Sequence, residues 1–267
     1  MIMTDRVQLE NVAVVLQYTK YPENIGSAAR AMANMGLKDL ILVAPVDLDL
    51  PRVQKLATHA AGGIVERMQR AATLKAALAP FQYVVGTTAR TGRRRQVIHY
   101  PEKMAEMLVP ISRQNRIALV FGPEDRGLSN AALRYCHALV TIPTADFSSL
   151  NLAHAVMLMG YALLTAGAAE AARPTSRLAE RHELDGMYAQ LKEVLVKINY
   201  LQPENPDYFL NRIRRFFTRM QLRAREVSII RGICRQISWY GKKCYEDGRR
   251  AGWNDRQRSP NWMSNDR

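Results

Sequence analysis

The chain has 267 residues, 48% of them hydrophobic and 23% charged, which is the balance of a globular protein with a real core and excludes a disordered or fibrous chain. Thirty-eight Lys and Arg stand against 24 acids, a net charge of +14, and such an excess suits a polyanionic partner, nucleic acid or an anionic membrane surface. No run approaches the roughly 18 apolar residues of a membrane span, and residues 1–10 carry Asp5, Arg6 and Glu10 where a signal peptide would be apolar. The three cysteines, Cys136, Cys234 and Cys244, form no CxxC pair. The expectation is a reduced, cytoplasmic protein without membrane segment, disulfide or metal site.

Short runs rich in Val, Ile and Leu at residues 12–16, 40–44, 83–87, 117–121 and 138–142 read as buried strands. Helical patterns lie between them at 25–35, 52–69, 74–79, 101–108 and 149–166, the second broken by Gly62 and Gly63. Continuous apolar strands alternating with helices predict an α/β domain, residues 1–166, whose mostly parallel sheet is covered on both faces. Residues 167–177, Ala-rich and ending at Pro174, read as a linker.

Beyond the linker only helical periodicity remains. Leu184, Tyr188, Leu191, Leu195 and Ile198 share one spacing, and Leu210, Ile213, Phe217 and Met220 another. With a third helix at 224–240 these predict a small all-helical domain over 178–245. Residues 246–267 read as a flexible polar tail. Residues 168–267 carry a net +8 and residues 1–167 a net +6, so the helical part is the more basic per residue. Arg212, Arg215, Arg219 and Arg223 fall on one helix face, and Arg214, Arg225, Arg231 and Arg235 thicken the patch. Within 212–235 only Glu226 opposes these eight arginines. A solvated face usually mixes its charges to form i,i+4 pairs; this one predicts phosphate contact.

Three clusters can carry chemistry. In the first, Asn24, Gly26 and Arg30 stand as N-x-G-x-x-x-R after the first strand, with Asn24 expected to cap the following helix. The second, Phe121-Gly122-Pro123-Glu124 with Gly127 and Leu128, is a constrained loop whose backbone can approach a ligand closely. The third runs from Ile142-Pro143 to Ser149-Leu150-Asn151, with the serines expected to cap a helix and Asn151 inside its first turn. No GxGxxG and no Walker A sequence occurs, which argues against a dinucleotide or P-loop enzyme. Of the five scattered histidines, His154 follows the third cluster and reads as a core or surface residue. The methionines read as core filling.

In this order the three clusters resemble the signature motifs of SPOUT-class RNA 2′-O-methyltransferases of the SpoU/TrmH branch. Val85-Gly86-Thr87-Thr88-Ala89-Arg90 is similar to a cofactor strand of the TrmJ subgroup. Leu201 to Pro206, Arg212 to Phe217 and Ile229 to Ile233 resemble that subgroup's helical tRNA-binding extension. The resemblance covers roughly residues 10–243. It implies a deep trefoil knot in the C-terminal part of the α/β domain, an exception to unknotted topology. It implies S-adenosyl-L-methionine as cofactor, contacted by Thr87, Thr88, Ala89, Gly122, Ile142, Ser149, Leu150 and Asn151. It also implies a homodimer with the active site at the subunit interface, and tRNA as substrate. The methylated ribose would be that of the first anticodon-loop nucleotide, cytidine or uridine.

Arg30 matches the family's catalytic arginine. An arginine stays protonated in proteins, so a gripping role suits it better than that of a base: it would hold the adjacent phosphate and hydrogen-bond the 2′-oxygen as charge develops. Asn24 and Glu124 would orient it, and Ser149 with Asn151 would hold the ribose or the loops. Arg90, Arg93, Arg94 and Arg95, with no acid among them, would clamp RNA backbone. The alternatives are a ribosomal-RNA 2′-O-methyltransferase and a catalytically silent RNA-binding protein. The C-terminal position of the basic domain favours tRNA, and the intact Asn24, Arg30, Glu124, Ser149 and Asn151 favour an enzyme.

Overall fold

Strands apolar on both faces have to be covered on both, and the computed structural model, which describes residues 6–89, 98–146, 149–167 and 175–250, covers them with helices. Strands β1 (Val12–Gln17), β2 (Asp39–Val43), β3 (Gln69–Ala71), β4 (Tyr83–Thr87), β5 (Ile98–His99), β6 (Ile117–Phe121) and β7 (Ala138–Val140) form one sheet in the order β3-β2-β1-β6-β4-β7-β5. Every pairing is parallel, with Val14 level with both Leu40 and Leu119. All six residues of β1 are buried. Their alternation divides the core. Val12, Val14 and Leu16 face helices α1 (Pro22–Asn34), α2 (Leu50–Arg67), α4 (Pro101–Ser112) and α6 (Leu152–Thr165), while Ala13 and Val15 face the side of α3 (Leu74–Leu78) and α5 (Asn130–Leu133).

The five expected strands are present. The structure adds β3 and β5, strands of three and two residues at the sheet's edges; β3 is polar and largely exposed, so it carries no apolar signal. Three local expectations are corrected. Helix α2 does not break at Gly62-Gly63; the non-helical residue is Thr58, at φ 58° and ψ 171°. Two glycines weaken a helix by about 0.5–1 kcal/mol each without forcing a break. Helix α1 begins at Pro22, with Tyr21 as its cap, because proline suits the first helical position, where its missing N–H costs nothing. Asn24 is therefore the third helical residue and its side chain is released for other work. Conversely Asn151, not a serine, caps α6, its Oδ1 accepting from the Ala153 N–H at 2.8 Å.

The chain divides into two compact units, the first ending at Arg181 and the second starting at His182. The second contains three helices among the described residues, α7 (Arg181–Lys197), α8 (Pro206–Met220) and α9 (Ala224–Arg250). Leu184, Met187, Tyr188, Leu210, Leu222, Val227 and Cys234 are buried there. Helix α9 extends past residue 246, where the sequence places the start of a tail; residues 251–267, and residues 168–174 of the expected linker, lie outside the described residues.

One half-buried imidazole makes the first unit acid-sensitive. The Val84 N–H donates to His137 Nδ1 at 3.1 Å, the His137 N–H donates to the Val84 carbonyl at 2.8 Å, and the ring stacks on Tyr83 at 5.1 Å. Burial, and secondarily the Arg181 charge, push the imidazole down to about 3. The unfolded chain, with an ordinary imidazole near 6.5, takes up a proton that the folded chain refuses. The contribution of His137 is therefore intact above about pH 6.5 and lost as pH falls toward 3, by at most about 1.4 kcal/mol per pH unit. In urea titrations at pH 7.5 and 4.5, His137→Gln, which keeps an acceptor without titrating, is expected to lose about 2–3 kcal/mol less than wild type over that interval.

Candidate active site

The carboxyl ends of parallel strands are where open α/β sheets bind ligands, above all where the chain direction across the sheet reverses. Here β1 leads to β2 on one side and lies against β6 on the other, so the loops leaving β1 and β6 diverge. Next to β6 stand β4 and then β7. The three sequence clusters are the loops after β1, β6 and β7, and the fold brings their ends together.

A chain of hydrogen bonds joins them. Asn24 Nδ2 donates to Glu124 Oε1 at 2.7 Å, and Asn24 Oδ1 accepts from Asn151 Nδ2 at 3.2 Å. The other oxygen of Glu124 accepts from the Lys20 N–H at 3.1 Å. Lys20 Nζ reaches Asp125 Oδ2 at 2.9 Å, and this contact holds the Asp125 carboxyl below its usual range. One asparagine thus links all three clusters. Asparagine suits this place because its amide donates and accepts at once; an aspartate would only accept, and would face the Glu124 carboxylate. Sequence reasoning missed Lys20, whose backbone N–H carries one link; the one available signal was its position in the turn after β1.

A cavity of about 540 Å³ lies over the ends of β4, β6 and β7, within the usual range for small-molecule sites. Of the residues expected to touch the cofactor, Thr87, Thr88, Ala89, Gly122, Ile142, Ser149 and Leu150 line it. Asn151 does not; it caps α6 and binds Asn24. Glu124 and Asp125 add negative charge, offset in part by Arg126 beside Asp125, and Leu128 adds an apolar wall. Backbone fixes the cavity's edge: the Thr88 N–H donates to the Val140 carbonyl at 2.9 Å, and Thr87 Oγ1 to the Val120 carbonyl at 3.1 Å. Gly122 is required, since a Cβ there would stand 2.3 Å from the Gly127 carbonyl carbon and 2.4 Å from the Leu128 nitrogen. Gly127 turns at φ 62°, a conformation glycine adopts without strain.

Arg30 is exposed and lines a separate cavity beside α2 and α6. Six residues beyond Asn24 on the same helix, it is turned well away from it, and neither Asn24 nor Glu124 hydrogen-bonds it. Those two hold the loops together. Arg90, Arg93, Arg94 and Arg95 lie outside the described residues. In the second unit Arg212, Arg215 and Arg219 are exposed along α8. Arg223 is exposed but leaves that face, because Gln221 turns left-handed at φ 48° and ends the helix. Two of the flanking arginines are packed rather than presented. Arg214 lies half-buried over the Tyr188 ring at 5.4 Å, and Arg231 Nε donates to Gln190 Oε1 at 3.0 Å. Glu226, the lone acid, accepts from the Arg223 N–H at 2.8 Å and so caps α9. Among the described residues no group of three His, Cys, Asp or Glu could hold a metal ion, and no helix is long and apolar enough to cross a membrane.

The clasp is testable. Asn24→Ala is expected to cost about 1–3 kcal/mol, the price of two broken hydrogen bonds and a stranded carboxylate. A thermodynamic cycle with Glu124→Ala, read by denaturant unfolding, should give a coupling of about 0.5–3 kcal/mol; additive losses would mean that the 2.7 Å contact carries nothing.

Residues 11–161 match the SpoU rRNA Methylase family, and residues 182–250 match the C-terminal domain of the tRNA methyltransferase TrmJ. The chain is 36% identical over 240 residues to the tRNA (cytidine/uridine/adenosine-2′-O-)-methyltransferase TrmJ of Pseudomonas aeruginosa strain UCBPP-PA14, covering 84% of this chain and 93% of that one. It is 35% identical over 243 residues to the tRNA (cytidine/uridine-2′-O-)-methyltransferase TrmJ of Klebsiella pneumoniae, covering 88% and 99%. Among solved structures, TrmJ from Z. mobilis ZM4 superposes with a TM-score of 0.74 at 29% identity, over 85% of this chain and 98% of that one.

Proposed function

Because the chain belongs to the SpoU methylase family, with a C-terminal domain of the TrmJ type, we propose that it methylates ribose 2′-hydroxyls in tRNA, using S-adenosyl-L-methionine. The single observation that carries the reading is the joining of all three motif loops by Asn24 beside a cavity lined by seven of the expected cofactor contacts. The cavity suits that cofactor on its own chemistry. It offers loop backbone to an adenine edge, Ile142, Leu150 and Leu128 as apolar surface, and the carboxylates of Glu124 and Asp125 to a cationic sulfonium. The acceptor is the ribose of the first anticodon-loop nucleotide, cytidine or uridine. The passage from β7 to α6 is read, as in the family, as part of a trefoil knot.

The cofactor supplies a methyl group already activated on sulfur. What remains for the chain is to place the acceptor and to manage its proton. Placement alone can be worth about 7–11 kcal/mol, and general-base catalysis about 10²–10⁴-fold. Arg30 keeps its charge throughout; it grips a backbone phosphate and donates to the 2′-oxygen as negative charge grows there, while a phosphate oxygen or water takes the proton. Asn24 and Glu124 act at one remove, fixing the loops on either side. Ser149 and Asn151 secure the third loop. In this reading the enzyme is a homodimer with its site at the interface: Leu158, Tyr161 and Leu164 leave an exposed apolar row along α6, one helix face continuous with the Arg30 cavity, and a second copy covers it. Arg90, Arg93, Arg94 and Arg95 clamp RNA near the cofactor.

Tritium transfer from labelled cofactor to bulk tRNA and to ribosomal RNA tests the substrate and the residue together. The expected result is label on an anticodon-loop ribose of tRNA, mapped by mass spectrometry, and at least a hundredfold loss in Arg30→Ala. Label confined to ribosomal RNA would retain the chemistry and overturn the substrate. Full turnover by Arg30→Lys would overturn the bidentate grip. Binding should also follow the phosphates: with six to ten engaged, affinity is expected to fall about 10³–10⁵-fold between roughly 50 and 200 mM salt. Arg212→Gln, Arg215→Gln and Arg219→Gln together should flatten that dependence; an unchanged slope would remove α8 from the RNA surface.

A further inference from the structure

The cavity that Arg30 lines is not the one over the strand ends. It measures about 320 Å³, lies between α1, α2 and α6, and is lined by Ser27 and Arg30 from the first helix, Lys55 from the second and His154 from the third. No acid lines it. Several exposed cations of this unit find acids: Lys20 binds Asp125, Lys103 binds Glu106, and Arg52 binds Glu23 and Asp47; Lys38, Arg70, Lys75 and Arg134 stand singly among the described residues, each away from this hollow. The side chains of Arg30, Lys55 and His154 make no hydrogen bond or ion pair among the described residues. Glu23, whose carboxylate feels the charge of Lys55, is itself held by Arg52 at 2.7 Å. Two basic side chains and an imidazole, all three exposed, therefore line one hollow from three helices with no anion among its walls, an arrangement that favours the entry of a negative group.

The convergence is built into the packing. Helix α2 lies so close to α1 that a Cβ at Gly26 would stand 2.1 Å from the Val53 carbonyl oxygen. That contact sets the height of Lys55, two residues on, against Ser27 and Arg30. We propose that Lys55 and His154 are positioning residues that hold, with Arg30, one phosphodiester of the RNA beside the reacting ribose. The proposal rests on the RNA-methyltransferase reading above and adds to it a division of labour. Lysine offers a compact charge and arginine a planar fork; with Lys55 carrying part of the phosphate's charge, the remaining N–H groups of Arg30 are left for the 2′-oxygen. His154 contributes an imidazole N–H, and Ser27 has a hydroxyl on the wall of the same hollow.

The test uses the full-length protein, an anticodon stem-loop RNA, and the same RNA carrying one uncharged methylphosphonate linkage at each phosphate flanking the target ribose in turn. Binding and methyl transfer are measured on every RNA. On the native RNA, Lys55→Gln and His154→Gln are expected to raise KM and Kd for RNA, Lys55→Gln by about tenfold. Cofactor affinity should stay unchanged, while kcat falls in Lys55→Gln because Arg30 is then drawn back to the phosphate; Lys55→Arg should restore both binding and turnover. The log-log salt slope should fall by about 0.7 in Lys55→Gln. On the RNA neutralised at the contacted phosphate, Lys55→Gln should cost nothing further. Equal losses on native and neutralised RNAs at both positions, or no loss on the native RNA, would overturn the phosphate site. A wild type that transfers no methyl to RNA, yet shows the phosphate-dependent difference in binding, would overturn the methyl-transfer reading and support the site.

Discussion

The structure turns on a single amide. Asn24 donates to Glu124 and accepts from Asn151, and through Glu124 it also secures the backbone of Lys20. Three loops that leave three different strands are thereby held at one point. Loops at sheet ends are the most mobile parts of such folds, and a ligand cavity between them keeps its shape only if something ties them. A hydrogen bond to a charged acceptor is worth more than a neutral one, so the 2.7 Å bond to the Glu124 carboxylate is the strong link and the Asn151 contact the lighter one.

Around that tie, the site is divided between two hollows with different chemistry. Over the strand ends the walls are backbone, small and apolar residues, two carboxylates and one arginine, suited to a compact ligand with apolar and polar parts. Beside α1, α2 and α6 the walls are cationic, suited to a polyanion. The glycines serve close approach in both places: Gly122 lets the loop after β6 fold onto itself, and Gly26 lets two helices touch. The second unit continues the cationic theme on α8, where Arg212, Arg215 and Arg219 stand exposed, but it spends Arg214 and Arg231 on internal contacts with Tyr188 and Gln190.

Much of this was legible in the residues. Runs such as 117–121 are apolar at every position, which suits only a strand covered on both faces, and the parallel sheet followed from their alternation with helices. The loop after β6 was legible because Gly122, Gly127 and Pro123 constrain backbone wherever they occur. The seven expected cofactor contacts that line the cavity, spread over the ends of β4, β6 and β7, were given by the family resemblance rather than by any such constraint. The edge strands β3 and β5 were not legible, since two or three residues with half their backbone unpaired need no apolar pattern. The arginine patch was legible as a count of charges and not as a surface, because periodicity runs through Gln221 while the backbone does not.

What the sequence determined by itself is whatever local chemistry and period dictate: the buried strands, the helical second unit, the loops that must bend, and the excess of cations. The tertiary structure alone decided what each polar side chain binds. Nothing within four residues of Asn24 reveals that it meets Glu124 and Asn151, and nothing near His154 reveals that it shares a hollow with Arg30 and Lys55. Those partners are separated by 100 residues or more in the case of Asn24 and its two contacts. Hydrogen bonds act over about 3 Å, so their pairing is fixed only when the sheet has set its strand order and the helices have packed.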